Sequence, residues 1–384
     1  MQGLEQLARE AAALTRGLPT IDVGDAARML RICNACRYCE GYCAVFPAMT
    51  RRLEFDRGDV HYLANLCHSC GACLHACQYA PPHEFGVDIP RALARVRVQT
   101  WAEHAWPPSF GALYRRNGVV LALSLVTALT LFLALAAASQ GTLWRAVPGG
   151  NFYAVFPHQL MVGLFLPVFV FVVCVLAVGV RRFYKGLEAG AAGVSAAAEA
   201  AHDVLTLKYL DGGHGDGCNE ADDAFTLARR RAHHLVFYGF WLCFAATCVA
   251  TLYHYVWQQP APYPWSSWPK LLGTSGGVAL TLGSAWLWHL HRQRHPLHGN
   301  PAHAGMDRGF IALLFLVAAS GLVLALARAT PALPLLLSLH LAAVLALFVT
   351  LPYGKFAHGV YRAAALLKWA IEKRSPARLD LGEG

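Results

Sequence analysis

The sequence predicts an all-α protein in two parts, a cysteine-rich part over residues 1–110 and a six-helix transmembrane bundle over residues 111–384. Hydrophobic residues make up 56% of the 384 positions and charged residues only 14%, far from the composition of a soluble protein. Several apolar runs of about 20 residues account for this excess, and each is long enough to cross a bilayer as a helix. Eight of the twelve cysteines lie near the N-terminus in two evenly spaced sets, which favours metal binding over disulfides.

Both cysteine sets have the spacing C-x2-C-x2-C-x3-C. The first set is Cys33, Cys36, Cys39 and Cys43, and the second is Cys67, Cys70, Cys73 and Cys77. In two-cluster ferredoxins the first three cysteines of such a run bind one cluster, while the fourth reaches the other. We therefore expect Cys77 to complete the site of the first set and Cys43 to complete that of the second. One set alone could bind zinc, but two identical sets predict two [4Fe–4S] clusters, which require a reducing compartment.

The residues around these motifs favour a helical ferredoxin. The 23 residues between Cys43 and Cys67 contain apolar positions at helical spacing after Asp59. Asp25 is expected to cap a helix that leads into the first motif, and residues 4–14 form a predicted amphipathic tail helix. Three histidines near the second motif could tune a cluster through hydrogen bonds, although solvated surface positions are the simpler interpretation; they are His68, His75 and His83.

Six segments of the second part can be drawn as spans: 118–138, 158–180, 234–257, 270–290, 309–328 and 333–357. With the N-terminus inside, 29 Lys and Arg residues fall on the inside and 3 on the outside. Because Lys and Arg are retained in cytoplasmic loops, we expect both termini, the cysteines and the loop 181–232 to face the cytoplasm of a bacterial inner membrane. No nucleic-acid-binding signature accompanies the basic residues, so no nucleic-acid partner is expected.

The cytoplasmic loop contains the glycine-rich run 210–219. No strand precedes these glycines and the G-x-G-x-x-G order is absent, so they do not predict a dinucleotide site. Any flavin is therefore expected on another chain. Cys218, in the same run, is isolated in the sequence and is interpreted as a free thiol rather than a ligand.

Histidines in or beside the spans are candidate haem ligands, because a histidine in hydrocarbon is costly and marks a functional site. Span three begins at His233-His234 and also holds His254, whereas span six holds His340 and ends at His358. Antiparallel spans would pair His234 with His358 in the inner leaflet and His254 with His340 in the outer. Separations of twenty and eighteen residues, or about 30 and 27 Å of helix, leave room for one or two b-type haems. A merely interfacial role is the alternative for all but His340, and three further histidines at span ends are reserve candidates: His158, His289 and His291.

Taken together, the cysteine motifs, the run His-His-Leu-Val-Phe-Tyr-Gly-Phe at residues 233–240 and the Leu-Asp-Gly-Gly run at 210–213 resemble the tricarballylate/citrate utilization protein B family. The resemblance covers nearly the whole chain, and the bundle is also similar to the haem-binding gamma subunit of respiratory nitrate reductase. It implies a membrane protein that reoxidises a separate FAD-dependent tricarballylate dehydrogenase and passes the electrons through the clusters and haem b to quinone.

The sequence leaves the electron donor open. A quinone-linked subunit of another flavoprotein, or of a heterodisulfide-type reductase, would carry the same motifs, and the neighbouring flavoprotein's substrate would separate the two. A transporter with regulatory clusters is a third possibility, but the related repeats and broken helices usual in transporters are not visible. The chain has no evident substrate site of its own.

Overall fold

The structure, a computed structural model, describes residues 21–376. The predicted tail helix at residues 4–14 lies outside the described residues. Within them the chain forms thirteen α-helices, and its only sheet is a two-stranded antiparallel ribbon of β1 (Cys218–Asn219) and β2 (Phe225–Thr226). The all-α prediction is confirmed.

Five helices build the cysteine-rich part: α1 (Ile21–Cys36), α2 (Val45–Met49), α3 (Arg57–Leu66), α4 (Ala72–His75) and α5 (Ile89–His104). The helix predicted between the two motifs is α3, and Asp56 caps it by accepting a hydrogen bond from the Asp59 backbone N–H. The predicted cap at Asp25 is wrong, because α1 already includes Ile21 and Asp25 lies inside it.

Eight helices follow: α6 (Asn117–Gln140), α7 (His158–Gly186), α8 (Val194–Leu205), α9 (Ala228–Tyr255), α10 (Trp268–Gln293), α11 (Ala304–Ala327), α12 (Leu333–Thr350) and α13 (Ala357–Glu372). The helical segments that contain α6, α7, α9, α11 and α12 are long and apolar enough to cross a membrane. The remaining predicted span, 270–290, is the 26-residue helix α10, which does not meet that measure of apolarity.

The helix α10 is rich in glycine because it packs closely against α9. A Cβ atom added at Gly276 would lie 2.8 Å from the Gly239 carbonyl oxygen, and one added at Gly283 would lie 2.8 Å from the Leu235 Cβ. The two helices run antiparallel, since Gly273 contacts Ala246 while Gly283 contacts the earlier part of α9. Removing side chains in this way brings two helix backbones together, as in other membrane bundles.

The last predicted span is two helices rather than one. The helix α12 ends at Thr350, a short 3-10 turn covers Leu351–Tyr353, and α13 begins at Ala357. Pro352 cannot continue the α-helical hydrogen bonding, and Gly354 follows it. His340 and His358 are therefore not on one continuous 27 Å helix as the sequence suggested.

The cysteine-rich part and the basic ends of the membrane helices share one hydrophobic core. Side chains from α3 and α5, such as Tyr62 and Trp101, belong to the same buried cluster as Phe183 of α7 and Tyr361 of α13. Arg52 strengthens this contact by pairing with Asp59 and with Glu372 of α13, both at 2.5 Å. The cysteines are thus held rigidly against one end of the bundle.

Candidate cluster and haem sites

The eight cysteines divide into two groups in the structure. We name Cys33, Cys36, Cys39 and Cys77 the exposed cysteine group, and Cys43, Cys67, Cys70 and Cys73 the buried cysteine group. All eight are free thiols. Burial first, and then the neighbouring thiols Cys77, Cys39 and Cys36, raise the pKa of Cys33 to about 12. Burial followed by Cys70 and Cys67 likewise raises the pKa of Cys43. These neighbours correspond to the crossed arrangement expected from the sequence.

The exposed cysteine group fits a cluster by its cavity. A cavity of about 260 Å³ lies among its four cysteines, and Cys73 of the buried group also lines it. Several water molecules would fill such a volume. Cys36 is exposed and the Tyr38 side chain is 70% exposed, so this group faces solvent.

The buried cysteine group fits a cluster by its chemistry rather than by its volume. Its cavity is only about 10 Å³, with the side chains closed in on one another. The Ser69 backbone N–H donates to the Cys67 sulfur at 3.3 Å, and hydrogen bonds of this kind to sulfur tune iron–sulfur potentials. Burial and neighbouring thiolates disfavour the ionised form of each cysteine here, and a positively charged iron centre would stabilise that form. Within residues 21–376 no group of three or more His, Cys, Asp or Glu side chains is placed to hold a single metal ion.

Four arginines converge beside the buried cysteine group. We name Arg97, Arg229, Arg294 and Arg362 the arginine cluster. Arg97 and Arg362 donate to the Cys67 carbonyl oxygen at 2.8 and 2.9 Å. Arg229 and Arg294 donate to the Ser69 carbonyl oxygen at 2.6 and 2.8 Å. The sequence analysis used these arginines only to predict topology, because residues 97, 229, 294 and 362 are far apart along the chain.

The loop that contains residues 210–219 covers the buried cysteine group, a contact that the sequence did not predict. The Asn219 backbone N–H donates to the Cys70 carbonyl oxygen at 3.0 Å, and Cys218 is fully buried in one apolar cluster with Cys70. Gly213 lies against the Tyr42 carbonyl oxygen, where any Cβ atom would be 2.2 Å away. Cys218, which is isolated in the sequence, therefore adjoins the candidate ligand Cys70 in the structure.

The three histidines near the second motif differ in environment. His68 lies in the wall of the buried group's cavity, and burial followed by the nearby Arg362 holds its pKa well below the usual range. His75 contacts Asp223 through Nδ1 and His298 through Nε2, both at 2.8 Å. His83 packs against Phe85 and Tyr79 at the surface.

On the cluster side of the bundle, the structure brings His358 together with His233. The Nδ1 atom of His233 contacts the Arg229 carbonyl oxygen at 3.1 Å, and that of His358 contacts the Lys355 carbonyl oxygen, leaving both Nε2 atoms for a ligand. Burial, then Arg362, Lys355 and the nearby His233, lower the pKa of His358. By contrast, the Nε2 atom of His234 contacts the Thr206 carbonyl oxygen at 3.1 Å, so this ring is directed towards the end of α8.

The outer histidines have other partners. His254 stacks on His158, one of the reserve candidates for a haem ligand, with ring centroids 4.0 Å apart. The His340 Nδ1 lies 3.1 Å from the Ser320 hydroxyl of α11, and its ring covers Gly321. His254 and His340 are thus engaged with different neighbours.

The fold and the cysteine groups define a helical membrane protein with a ferredoxin-like N-terminal part. Residues 26–103 match the family model described as the citrate utilization protein B Fer4-like domain, and residues 112–378 match that described as citrate utilization protein B. A relative with that name from Escherichia coli is 55% identical over 374 residues, covering 97% of each chain. No solved structure matches. The chain belongs to the citrate utilization protein B family, whose Fer4-like domain indicates iron–sulfur binding and an electron-transfer role.

Proposed function

We propose that this chain carries electrons from a cytoplasmic FAD-dependent tricarballylate dehydrogenase, through two [4Fe–4S] clusters and haem b, to membrane quinone. The observation that supports this most strongly is the proximity of two cysteine groups to imidazoles at the same end of an apolar bundle. Clusters and haem supply reversible one-electron chemistry when bound. Two electrons leave the reduced flavin of the partner, and the same two electrons with two protons convert quinone to quinol.

The exposed cysteine group would hold one cluster and the buried group the other. Each group combines three cysteines of one motif with the fourth of the other motif, so the two sites cannot form independently. The backbone N–H of Ser69 and the arginine cluster would compensate the negative charge of the buried site.

For the inner haem we propose His233 and His358 as axial ligands, with His233 in place of His234. A histidine ligand normally has its second ring nitrogen hydrogen-bonded, which fixes the tautomer and orients the ring. The carbonyl contacts of both Nδ1 atoms match this requirement. Both residues also lie on the cluster side, where an electron from the buried cysteine group would arrive.

The proposed second haem, between His254 and His340, is supported by the sequence alone. Loss of haem in His340→Ala, with the inner haem still reducible, is the expected result. Full haem content in that variant would refute a haem at His340 and would favour a single haem, at His233 and His358.

Partner and location come from the family and the charges. The relative's name refers to citrate utilization, and the resemblance of this chain points to the tricarballylate dehydrogenase as donor. The 29-to-3 distribution of Lys and Arg supports a bacterial inner membrane location with the termini and cysteines in the cytoplasm. We also propose a domain division near residue 110, which the separate matches to residues 26–103 and 112–378 support.

A reconstitution tests the function. Full-length protein in detergent, mixed with the dehydrogenase and tricarballylate, should show reduced clusters and haem, and added quinone should reoxidise both. The matched control omits tricarballylate. Reduction by a different flavoprotein with its own substrate, but not by the dehydrogenase, would favour the alternative donor. Reduced cofactors that quinone does not oxidise would contradict the proposal.

A further inference from the structure

The two cysteine groups lie in opposite electrostatic surroundings. Around the buried group, Glu220 pairs with Arg229 at 2.5 Å, and within residues 21–376 the other three members of the arginine cluster form no salt bridge. The Nε atoms of Arg294 and Arg362 are buried and have no hydrogen-bond partner. Four guanidinium groups thus face the carboxylate of Glu220. The carboxylate of Asp307 also acts on Arg294, but it is paired with Lys355 at 2.7 Å.

These arginines remain charged under physiological conditions. An arginine guanidinium keeps its proton at neutral pH even when it is buried. Uncompensated buried charge is costly, so a group that carries the opposite charge is expected at their centre.

The arginines near the exposed group are different. Arg37, between Cys36 and Cys39, is exposed and donates to the Asn34 carbonyl oxygen at 3.1 Å. Arg31 and Arg28 are also exposed, and each pairs with a carboxylate at 3.2 Å. Charges in contact with water are screened and act weakly on their neighbours. The exposed group therefore has little net positive potential from its own surroundings.

From this contrast we infer that the arginine cluster sets the reduction potential at the buried cysteine group above that at the exposed group. The inference rests on the proposed function and gives it a direction. Reduction adds one negative charge to a cluster. Burial alone would disfavour that charge, whereas four nearby guanidinium groups favour it. An electron received at the exposed group reduces the buried group, and the exposed group is reoxidised.

The position of Arg362 links this direction to the membrane. Arg362 contacts the Cys67 carbonyl oxygen and lies on α13 one turn after His358. The high-potential site is therefore the one nearest the proposed haem ligands, while the low-potential site faces the solvent from which a flavoprotein would dock.

Redox titration of the full-length protein, followed by EPR, tests the inference. In the wild type, the cluster with the higher midpoint potential should be the one that Cys43→Ser removes. Arg294→Gln and Arg362→Gln should each lower that midpoint and leave the other cluster unchanged, and Arg294→Lys and Arg362→Lys should restore most of the shift. Arg31→Gln is the matched control and should move neither midpoint by a comparable amount.

Two results would overturn the inference. One is a wild-type order in which the cluster removed by Cys43→Ser has the lower midpoint. The other is an unchanged midpoint in both glutamine variants at full iron content. Absence of two clusters from the wild type would instead refute the proposed function, so the two failures are distinguishable.

Discussion

Cys43 is the residue that most directly tests how the two motifs share their ligands. It is the fourth cysteine of the first motif but lies with Cys67 and Cys70 in the structure. Cys43→Ser should remove or weaken the cluster of the buried group and retain about four of eight irons, as judged by iron analysis and EPR. Cys248→Ser, an exposed thiol in α9, is the control and should retain all of them. Loss confined to the exposed group's cluster would refute the crossed arrangement.

The adjacent histidines at the start of α9 allow a second residue-level prediction. His233→Ala should abolish the inner b-type haem signal, because it removes an axial ligand, whereas His234→Ala should retain it. Difference spectra of the two purified variants provide the measurement. Retention of haem in the first variant with loss in the second would restore His234 as the ligand.

At this scale the sequence predicted the neighbours of the cysteines better than those of the histidines. The spacing of the cysteines carries the ligand pattern itself, and the structure groups them accordingly. Neighbouring helix residues point in directions about 100° apart, so the sequence could not choose between His233 and His234. That choice depends on the contact of His234 with Thr206 of a distant segment.

The loop at residues 210–219 covers the buried cysteine group, which the sequence did not predict. Gly213 and Gly215 both have positive φ, +86° and +97°, but only Gly213 lacks room for a Cβ atom. Gly213→Ala should therefore lift the loop from Tyr42 and speed oxygen damage to the buried cluster, measured as iron release in air. Gly215→Ala suffers similar backbone strain in open space, and should release iron at close to the wild-type rate. Equal rates in both variants would show that the loop does not protect the site.

The sequence predicted helix boundaries well where the local residues determine them. The lengths of the apolar runs predicted the long helices. The break between α12 and α13 occurs at Pro352, which lies within a continuous apolar run and was therefore not predicted as a helix end. The glycines of α10 could be interpreted only with α9 beside them, because a Cβ atom meets its obstacle on the partner helix. Contacts between segments that are distant in sequence leave no pattern in the local residues, so the contact of the loop with Cys70 and Tyr42 could not be predicted.

For the whole molecule, we expect both termini and the cysteines to lie on the cytoplasmic side of the membrane. A reporter fused after Gly384 should be cytoplasmic and one inserted near Pro260 periplasmic, because the predicted topology assigns 29 of the 32 Lys and Arg residues to the side of the cysteines. A phosphatase and a fluorescent reporter at each position give complementary signals. A periplasmic C-terminus would place the cysteines in an oxidising compartment and contradict the functional proposal.

The shared core makes the described part of the molecule one structural unit rather than two loosely joined parts. The helix α13 carries a proposed haem ligand, an arginine that contacts Cys67, and Glu372, which pairs with Arg52. These contacts fix the distance between the cysteine groups and the membrane side, which electron transfer requires.

The optical spectrum of the purified full-length protein, combined with iron and haem analysis, tests the central claim most directly. We expect about eight non-haem irons per chain, a broad cluster absorption that reduction bleaches, and sharp b-type haem bands that appear on reduction. Added quinone should reverse both changes. A protein that contains neither cluster iron nor haem when prepared without air, or one whose reduced cofactors are indifferent to quinone, would contradict the account.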